Sequence, residues 1–583
     1  MTSCKGDRSA MKKKLFALIC ILIVIACILS GCVNRSGNIG TSETDENGNV
    51  IENTEDNTDL PKKPIPPKID FNTDPSMEGI DLNFAKDPSE MFTERDLNPE
   101  YDESKCAVVQ FDGNVIKTSS KAVQISKSTA KLTEGGTYIL RGTLNGGMVI
   151  VDAGKKDKVQ IVLDNANIYS PDSAAIYVLN AKKVFVTLVG DNMLANCGNF
   201  KAIDANNIDA ALFSKQDLTI NGDGVLLVDS PAGHGIVSKD NLVIAGGAYN
   251  ISAANHAIAA NDSIRIARAS ITAKSGKDAI HAENKNDASL GYVYICDGDY
   301  NLNAAGDGIS SVSDIQIYTG VFKIESGVDA TADTNDIEAP SVKGIKTKGN
   351  LLVADGTINV NSPDDAISAD KSVILTKGTF NVETEDKAFT AGENIYIVGA
   401  VVSVGKSKNC YCAPNVDIRG GKHLLNSKGK AVNVASKSGA TDCTLNISGG
   451  EININSQKNG IEVSGSFYMS GGYVKISASA TQDAVAFAYE KEAIITGGVL
   501  IATGSDLLPE IPMFEKQGII SVSVAEIQTG GIDVYVTDAD GNVIVCDSLE
   551  NDFKVVIISA PGIAKGSEYT VKIGELSNNF TAK

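Results

Sequence analysis

His234-Gly235-Ile236, His256-Ala257-Ile258, Asp278-Ala279-Ile280, Asp307-Gly308-Ile309, Asp329-Ala330-Thr331, Asp365-Ala366-Ile367 and Lys387-Ala388-Phe389 are seven statements of one phrase: a polar residue, a small residue, then, in six of the seven, an apolar one. Their first residues step by 22, 22, 29, 22, 36 and 22. A recurring period of this size marks a solenoid. A second column keeps the register: Asn250, Thr272, Asn301, Lys323, Asn359 and Asn381 each stand six residues before a phrase. A third is the start of an alternating strand eight residues after it, at Leu242, Ile264, Ile315, Val373 and Ile395. The two long steps fit if 7 and 14 extra residues lie between phrase and strand, because Asp278 reaches Val293 after 15 residues and Asp329 reaches Leu351 after 22.

Each repeat then holds about three short strands separated by Gly, Asn, Asp and Lys turns. Asn241 to Asp262 is typical, with Leu242/Ile244, Tyr249/Ile251 and Ala257/Ile258. Runs this short with period-2 alternation read as strands. Three strands per 22-residue coil predict an all-β, parallel β-helix rather than a sandwich of hairpins.

Working outward, residues 223–505 are expected to form the β-helix, with the phrase returning at Asn459-Gly460-Ile461 and Asp483-Ala484-Val485. Residues 101–222 are β-rich but irregular and read as an N-terminal cap and first coils, since a terminal repeat lacks one neighbour. Residues 506–583 change character and read as a small antiparallel C-terminal cap covering an open edge. Residues 33–100 are polar, acidic and proline-bearing and are expected to be a disordered linker. Residues 1–32 read as a signal: Met11 as the start, Lys12-Lys13-Lys14, an apolar run from Leu15 to Leu29, then Leu29-Ser30-Gly31-Cys32. That ending closely resembles a bacterial lipobox, which implies lipidation at Cys32 and a stably anchored protein on the outer face of the cell membrane.

The formal net charge of −20 argues against nucleic acid as a partner. Aromatic residues are 5% and tryptophan is absent, which disfavours a stacking platform for sugars. A monomer is expected. Cys410 and Cys412 are too isolated for a tetrahedral metal site, and the four histidines (His234, His256, His281, His423) read as structural or surface residues.

The chemistry is expected in the aspartate column. Equivalent positions of adjacent coils stack about 4.8 Å apart. Asp278, Asp307, Asp329 and Asp365 would then be four consecutive rungs, repelling by about 3 kcal/mol per neighbouring pair at an effective dielectric near 20. Cations, partial protonation or full solvation at the turn would offset this. Asp364, Asp370, Asp333 and Asp336 fall nearby, with Asp386, Glu283 and Glu338. Many loosely arranged oxygens suit Ca²⁺ better than Mg²⁺. The competing reading is that these aspartates cap turns through their own backbone.

The run Asp365-Ala366-Ile367-Ser368-Ala369-Asp370, followed by Leu375-Thr376-Lys377-Gly378-Thr379-Phe380-Asn381-Val382, resembles a clostridial carbohydrate-binding family, as do Gly306-Asp307-Gly308-Ile309 and Ser559-Ala560-Pro561-Gly562. The resemblance covers roughly residue 105 to the end. It implies a right-handed parallel β-helix similar to polysaccharide lyases, with bound calcium, that binds cellulosic and acidic pectic glycans. One departure is Asp386-Lys387-Ala388-Phe389, where that family commonly has an acidic phrase; a lysine there could satisfy an acid internally.

Three functions follow. The first is a non-catalytic surface lipoprotein that binds extracellular polysaccharide through a calcium-containing acidic face. The second is a calcium-dependent pectate lyase, with Lys343, Lys346, Lys348 or Lys387 as the base. The third is an adhesin whose solenoid is a spacer.

Overall fold

The computed structural model describes residues 75–328, 341–439, 442–480, 484–505 and 517–583, together with the backbone of 513–514. The calls on Cys32, Asp329, Asp333, Asp336 and Glu338 lie outside the described residues, as do residues 1–74.

The chain is all-β, and its strands stack into long parallel sheets of the kind a parallel β-helix makes. The phrase supplies one rung per coil to a 16-stranded sheet. Ile236 pairs with Ile258, then Ile280, Ile309, Ile345, Ile367 and Phe389 in unbroken register. A second stack runs Leu242, Ile264, Val293, Ile315, Leu351, Val373 and Ile395. A third runs Tyr249, Ile271, Tyr300, Phe322, Ile358, Phe380 and Val402. These three columns point inward and are buried, giving one continuous core. Like sits on like: the Tyr300 and Phe322 rings are parallel with centroids 4.4 Å apart. His423 is the next member of the third stack after Val402. It is fully buried and its Nδ1 meets the Tyr411 hydroxyl at 2.8 Å, so it is a core histidine.

Glycine turns one corner of each coil. Gly378 has φ +92°, and a Cβ there would lie 2.7 Å from the Gly356 carbonyl of the coil before. No other residue takes that backbone and that approach without strain.

The 7-residue addition lies where the sequence placed it, between the strands Ile280–Ala282 and Tyr292–Ile295. The 14-residue addition does not. Ile309 pairs with Ile345 and Ile315 with Leu351, so the rung after Asp307 is Lys343-Gly344-Ile345. The extra chain therefore precedes the phrase, between Val321–Glu325 and Ile345–Thr347. The regular coil is still in register through Glu325, which pairs with Asn361.

The disordered linker expected over 33–100 is also corrected in its last part. Residues 75–100 form a strap on the outer face of the second stack, with two short helices, α1 (Pro88–Met91) and α2 (Glu94–Leu97). The strap runs backward along the coils. Arg419 donates to the Ser76 and Glu78 carbonyls at 2.7 and 2.8 Å. Met77 and Ile80 pack on Leu352 and Ile374, and Met91 and Phe92 pack on Val243, Tyr294 and Cys296. Asp96 reaches Lys183 and Thr219, and Gln160 donates to the Pro99 carbonyl. Outward-facing apolar residues on this face explain why a polar sequence orders here: the sheet supplies the surface the strap lacks.

At the far end the last full coil strand, Val499–Gly504, pairs antiparallel with Phe553–Ser559, which pairs in turn with Ile519–Gln528. Beside them Val543–Ser548, Asp533–Thr537, Glu568–Ile573 and Leu576–Thr581 make a four-stranded antiparallel sheet.

Candidate functional site

The column of phrase residues reads His234, His256, Asp278, Asp307, Lys343, Asp365, Lys387 and Asn409, two residues before each inward-pointing member of the phrase sheet. Its first task is structural. The backbone N–H at this turn takes an acceptor from the side chain one coil earlier. His256 N–H donates to His234 Nδ1 at 3.2 Å, and Asp278 N–H to His256 Nδ1 at 3.1 Å. Asp307 N–H donates to Asp278 Oδ1 at 2.8 Å, and Lys343 N–H to Asp307 Oδ1 at 2.7 Å. Lys387 N–H donates to Asp365 Oδ1 at 3.3 Å, and Lys430 N–H to Asn409 Oδ1 at 3.0 Å. A lysine cannot accept, and after each lysine a substitute appears: Asp365 N–H turns to its neighbour Asp364, and Asn409 N–H to the Asp386 carbonyl. Asp, Asn and unprotonated His nitrogen share one property, a lone pair at short reach, which is why these types fill the column.

Its second feature is charge. Lys343 separates Asp307 from Asp365 in the column. Lys343 Nζ lies 2.7 Å from Asp364 and 3.2 Å from Asp365. Lys387 Nζ lies 3.2 Å from Asp365 and 2.7 Å from Asp386, and Lys408 Nζ is 3.4 Å from Asp386. Lys346 Nζ is 3.6 Å from Asp307. Burial alone would push Asp386 and Asp364 up, but the lysine hydrogen bonds outweigh it and hold both below the usual carboxylate value. The Asp364–Asp365–Asp386 oxygens do come within 4.8 Å of one another. As a calcium cage the group fits poorly. Ammonium nitrogens already bridge the carboxylates, and two of the oxygens accept backbone N–H groups, whereas Ca²⁺ wants six to eight oxygens turned toward it. Asp370 stands apart from this group, exposed at the other end of the strand Ile367–Ala369.

A second group was missed from the sequence, where each histidine stands alone. His256, Asp278 and His281 bring ring nitrogens and a carboxylate oxygen within 4.8 Å. Three imidazoles stack, His234 on His256 at 5.1 Å and His256 on His281 at 4.2 Å. His281 Nδ1 meets Asp278 Oδ2 at 2.8 Å, and the Ser310 hydroxyl donates to the same oxygen at 2.7 Å. Burial pushes His234 down to about 4 and His256 to about 3, so both are neutral near pH 7. Burial would raise Asp278, but the His281 hydrogen bond and the nearby imidazoles outweigh it and bring it to about 2. Asp307 has no histidine to help: burial, then the Asp278 charge, push it up. Because His256 Nδ1 and both Asp278 oxygens are already engaged, the group is a closed hydrogen-bonded network.

The open polar surface lies elsewhere, on the outward side of the third stack. A groove of about 370 Å³ crosses four coils there. Lys323, Asn359, Asn381 and Ser403 form one column in register, and Glu325, Asn361 and Glu383 form the next. Asn381 donates to Asn359 Oδ1 at 2.8 Å, and Lys323 meets Glu325 at 2.8 Å. No aromatic ring lines it. Primary amides offer donors and acceptors together, spaced by the rung distance, which is the chemistry that hydroxyl-rich polymers present in return. Lys323, Asn359 and Asn381 belong to the second column that kept the register in the sequence.

Residues 126–388 match the family described as "Carbohydrate-binding domain-containing protein". That match spans 263 of the 583 residues. A curated relative in Acetivibrio thermocellus, carrying the same description, is 33% identical over 152 residues, which are 25% of this chain and 53% of that protein. The chain thus spans about half the length of the curated relative it matches. A solved structure, "Structure of the polysaccharide lyase-like protein from C. thermocellum, Gadolinium derivative", is 30% identical, covering 42% of this chain and 96% of that one with a TM-score of 0.39. The family segment contains the whole column from His234 to Lys387 and the Lys323–Asn381 part of the groove.

Proposed function

We propose that this chain binds polysaccharide without cleaving it, along the amide-lined groove of Lys323, Asn359, Asn361 and Asn381. The observation that carries the reading is this open, in-register polar ladder inside the carbohydrate-binding segment. A polymer lying along the coil axis meets Lys323, Asn359, Asn381 and Ser403 in turn, the middle two of them amides. The mix of Lys323 with Glu325 and Glu383 suits a neutral or sparsely acidic glycan, cellulosic or pectic, and the absence of aromatics turns recognition toward hydroxyl hydrogen bonds.

The non-catalytic part rests on the lysines. Elimination needs a base that is unprotonated at the working pH. Burial favours proton loss from Lys343 and Lys387, but their bonds to Asp364, Asp365 and Asp386 outweigh it and raise both. They are held as cations. Binding is tested by affinity electrophoresis of residues 75–583 in gels of polygalacturonate, xylan and a soluble cellulose derivative. One glycan should retard the protein, and Asn359→Ala with Asn381→Ala should abolish the retardation. Equal retardation of the double variant rejects this groove, and no retardation by any glycan returns the solenoid to a spacer. Ultraviolet absorbance of unsaturated product, if it accumulates from polygalacturonate, would establish the lyase instead.

The Leu29-Ser30-Gly31-Cys32 ending supports a lipid anchor that holds this groove outside the membrane. Metabolic labelling with a fatty acid should mark the full chain and not Cys32→Ala; label in both would reject the anchor at Cys32.

A further inference from the structure

The poor fit of the acid cluster to calcium leads further. We propose that Lys343 and Lys387 are the resident cations of the Asp364–Asp365–Asp386 cluster, and that this cluster becomes a divalent-cation site only when both ammonium groups are removed.

The geometry is that of an ion shell filled by nitrogen. Asp365 is buried and lies between the two lysines, with Lys343 Nζ 3.2 Å from one oxygen and Lys387 Nζ 3.2 Å from the other. Each lysine continues to a second acid, Lys343 to Asp364 and Lys387 to Asp386, both at 2.7 Å. With Lys408 on Asp386, three ammonium groups face three carboxylates and the cluster is formally neutral. Buried carboxylates stay ionised only when paired. Both lysines rise from column positions, so the pairing is set by the coil register itself and needs nothing from solution. A divalent ion would have to expel two cations and strip oxygens of their backbone N–H partners. Without Lys343 and Lys387 the balance reverses: three carboxylates would share one ammonium, with oxygens within 4.8 Å of each other. That is the donor set a hard cation takes. The inference concerns the column alone and stands apart from the glycan reading, since the groove lies on another face of the coil.

The experiment compares the full chain with the variant K343Q/K387Q, using calcium-dependent thermal unfolding and terbium luminescence. The native protein should melt at the same temperature in chelator and in millimolar calcium. The double variant should melt lower in chelator, regain stability with calcium, and gain a terbium signal that calcium displaces with an affinity of about 0.1–1 mM, the range of open extracellular sites. Terbium bound at other acids is common to both proteins and cancels in the difference. If the double variant does not fold, K343M/K387M serves in its place, and K387Q alone, which keeps Lys343 on Asp364 and Asp365, should show no calcium response. Either K343R/K387R should behave as native, or charge is not the determinant and the proposal fails. It also fails if native protein gains calcium-dependent stability that Asp365→Asn removes, or if the double variant folds but shows no calcium response.

Discussion

Replacing Asp96 by alanine should release the strap while leaving the coils folded. Asp96 does two things at once. It closes the capping box of α2 by accepting from the Thr93 N–H and hydroxyl. It also accepts from Lys183 at 2.6 Å and Thr219 at 2.5 Å on the sheet beneath. Its side chain is 1% exposed and that of Lys183 15%. Removing one member of a buried pair costs about 3–5 kcal/mol, because the other charge is left without a partner. If the whole cost falls on the strap, its open population rises by roughly a hundredfold to several-thousandfold. Two readouts follow. Amide exchange at Asn98, whose N–H bonds the Glu94 carbonyl, should accelerate by that factor, and trypsin should cut after Arg95, which native packing against Gln160 protects. Met77, Ile80, Met91 and Phe92 would lose their seat together, or only Met91 and Phe92 if Arg419 still grips Ser76. The pH dependence has a definite sign. Burial raises the Asp96 pKa, but Lys183, Thr219 and Thr93 outweigh it and the net shift is downward. The unfolded strap therefore takes up the proton first. The stabilisation is complete above about pH 4 and is lost as pH falls through the lower native value. Unchanged exchange and cutting in Asp96→Ala would refute the reasoning, as would cooperative loss of the entire rod at the same denaturant concentration as the strap.

Two further outcomes concern the column. His234 and His256 are pushed down by burial, and Asp209, Asp278, Lys239, Lys277 and His281 surround them. The unfolded chain binds their protons first, so stability should be full above about pH 6.5 and should decline as pH falls toward 4. Urea midpoints from pH 8 to 5 check this, and His256→Asn, which keeps an acceptor without a titrating ring, should flatten the slope. Separately, Asp278→Ala should cost about 1–3 kcal/mol by orphaning the Asp307 N–H, and Asp278→Asn should recover most of that in the same assay.

The coil was legible because the phrase combines an inward apolar residue with a small one beside it, a pattern that packing enforces at every rung. The first long step was placed correctly for the same reason. The second went astray because Asp329-Ala330-Thr331 stands six residues after Lys323, which is in register, and so imitates the phrase, whereas the rung that the sheet uses begins with a lysine. That one substitution changed the electrostatics of the site: four stacked carboxylates became acids interleaved with ammonium groups. The strap was hidden for another reason. Met77, Ile80, Met91 and Phe92 are isolated in a polar run, and their burial depends on an apolar outer face that no local window reveals. The histidine stack depended on His281 belonging to a position three residues after Asp278, outside the column that organises the sequence.

Where a column side chain can accept, its hydrogen bond points one way along the chain, from an N–H to a side chain made about one coil earlier. During synthesis from the N-terminus, the acceptor for each new turn is therefore already in place when that turn emerges. Growth from that end finds these side-chain acceptors prepared, while the adjacent Gly235, Ala257, Ala279 and Gly308 amides still wait for carbonyls of the next coil. Each turn is thus stitched in both directions: its side chain lends a lone pair forward and its main chain lends one back.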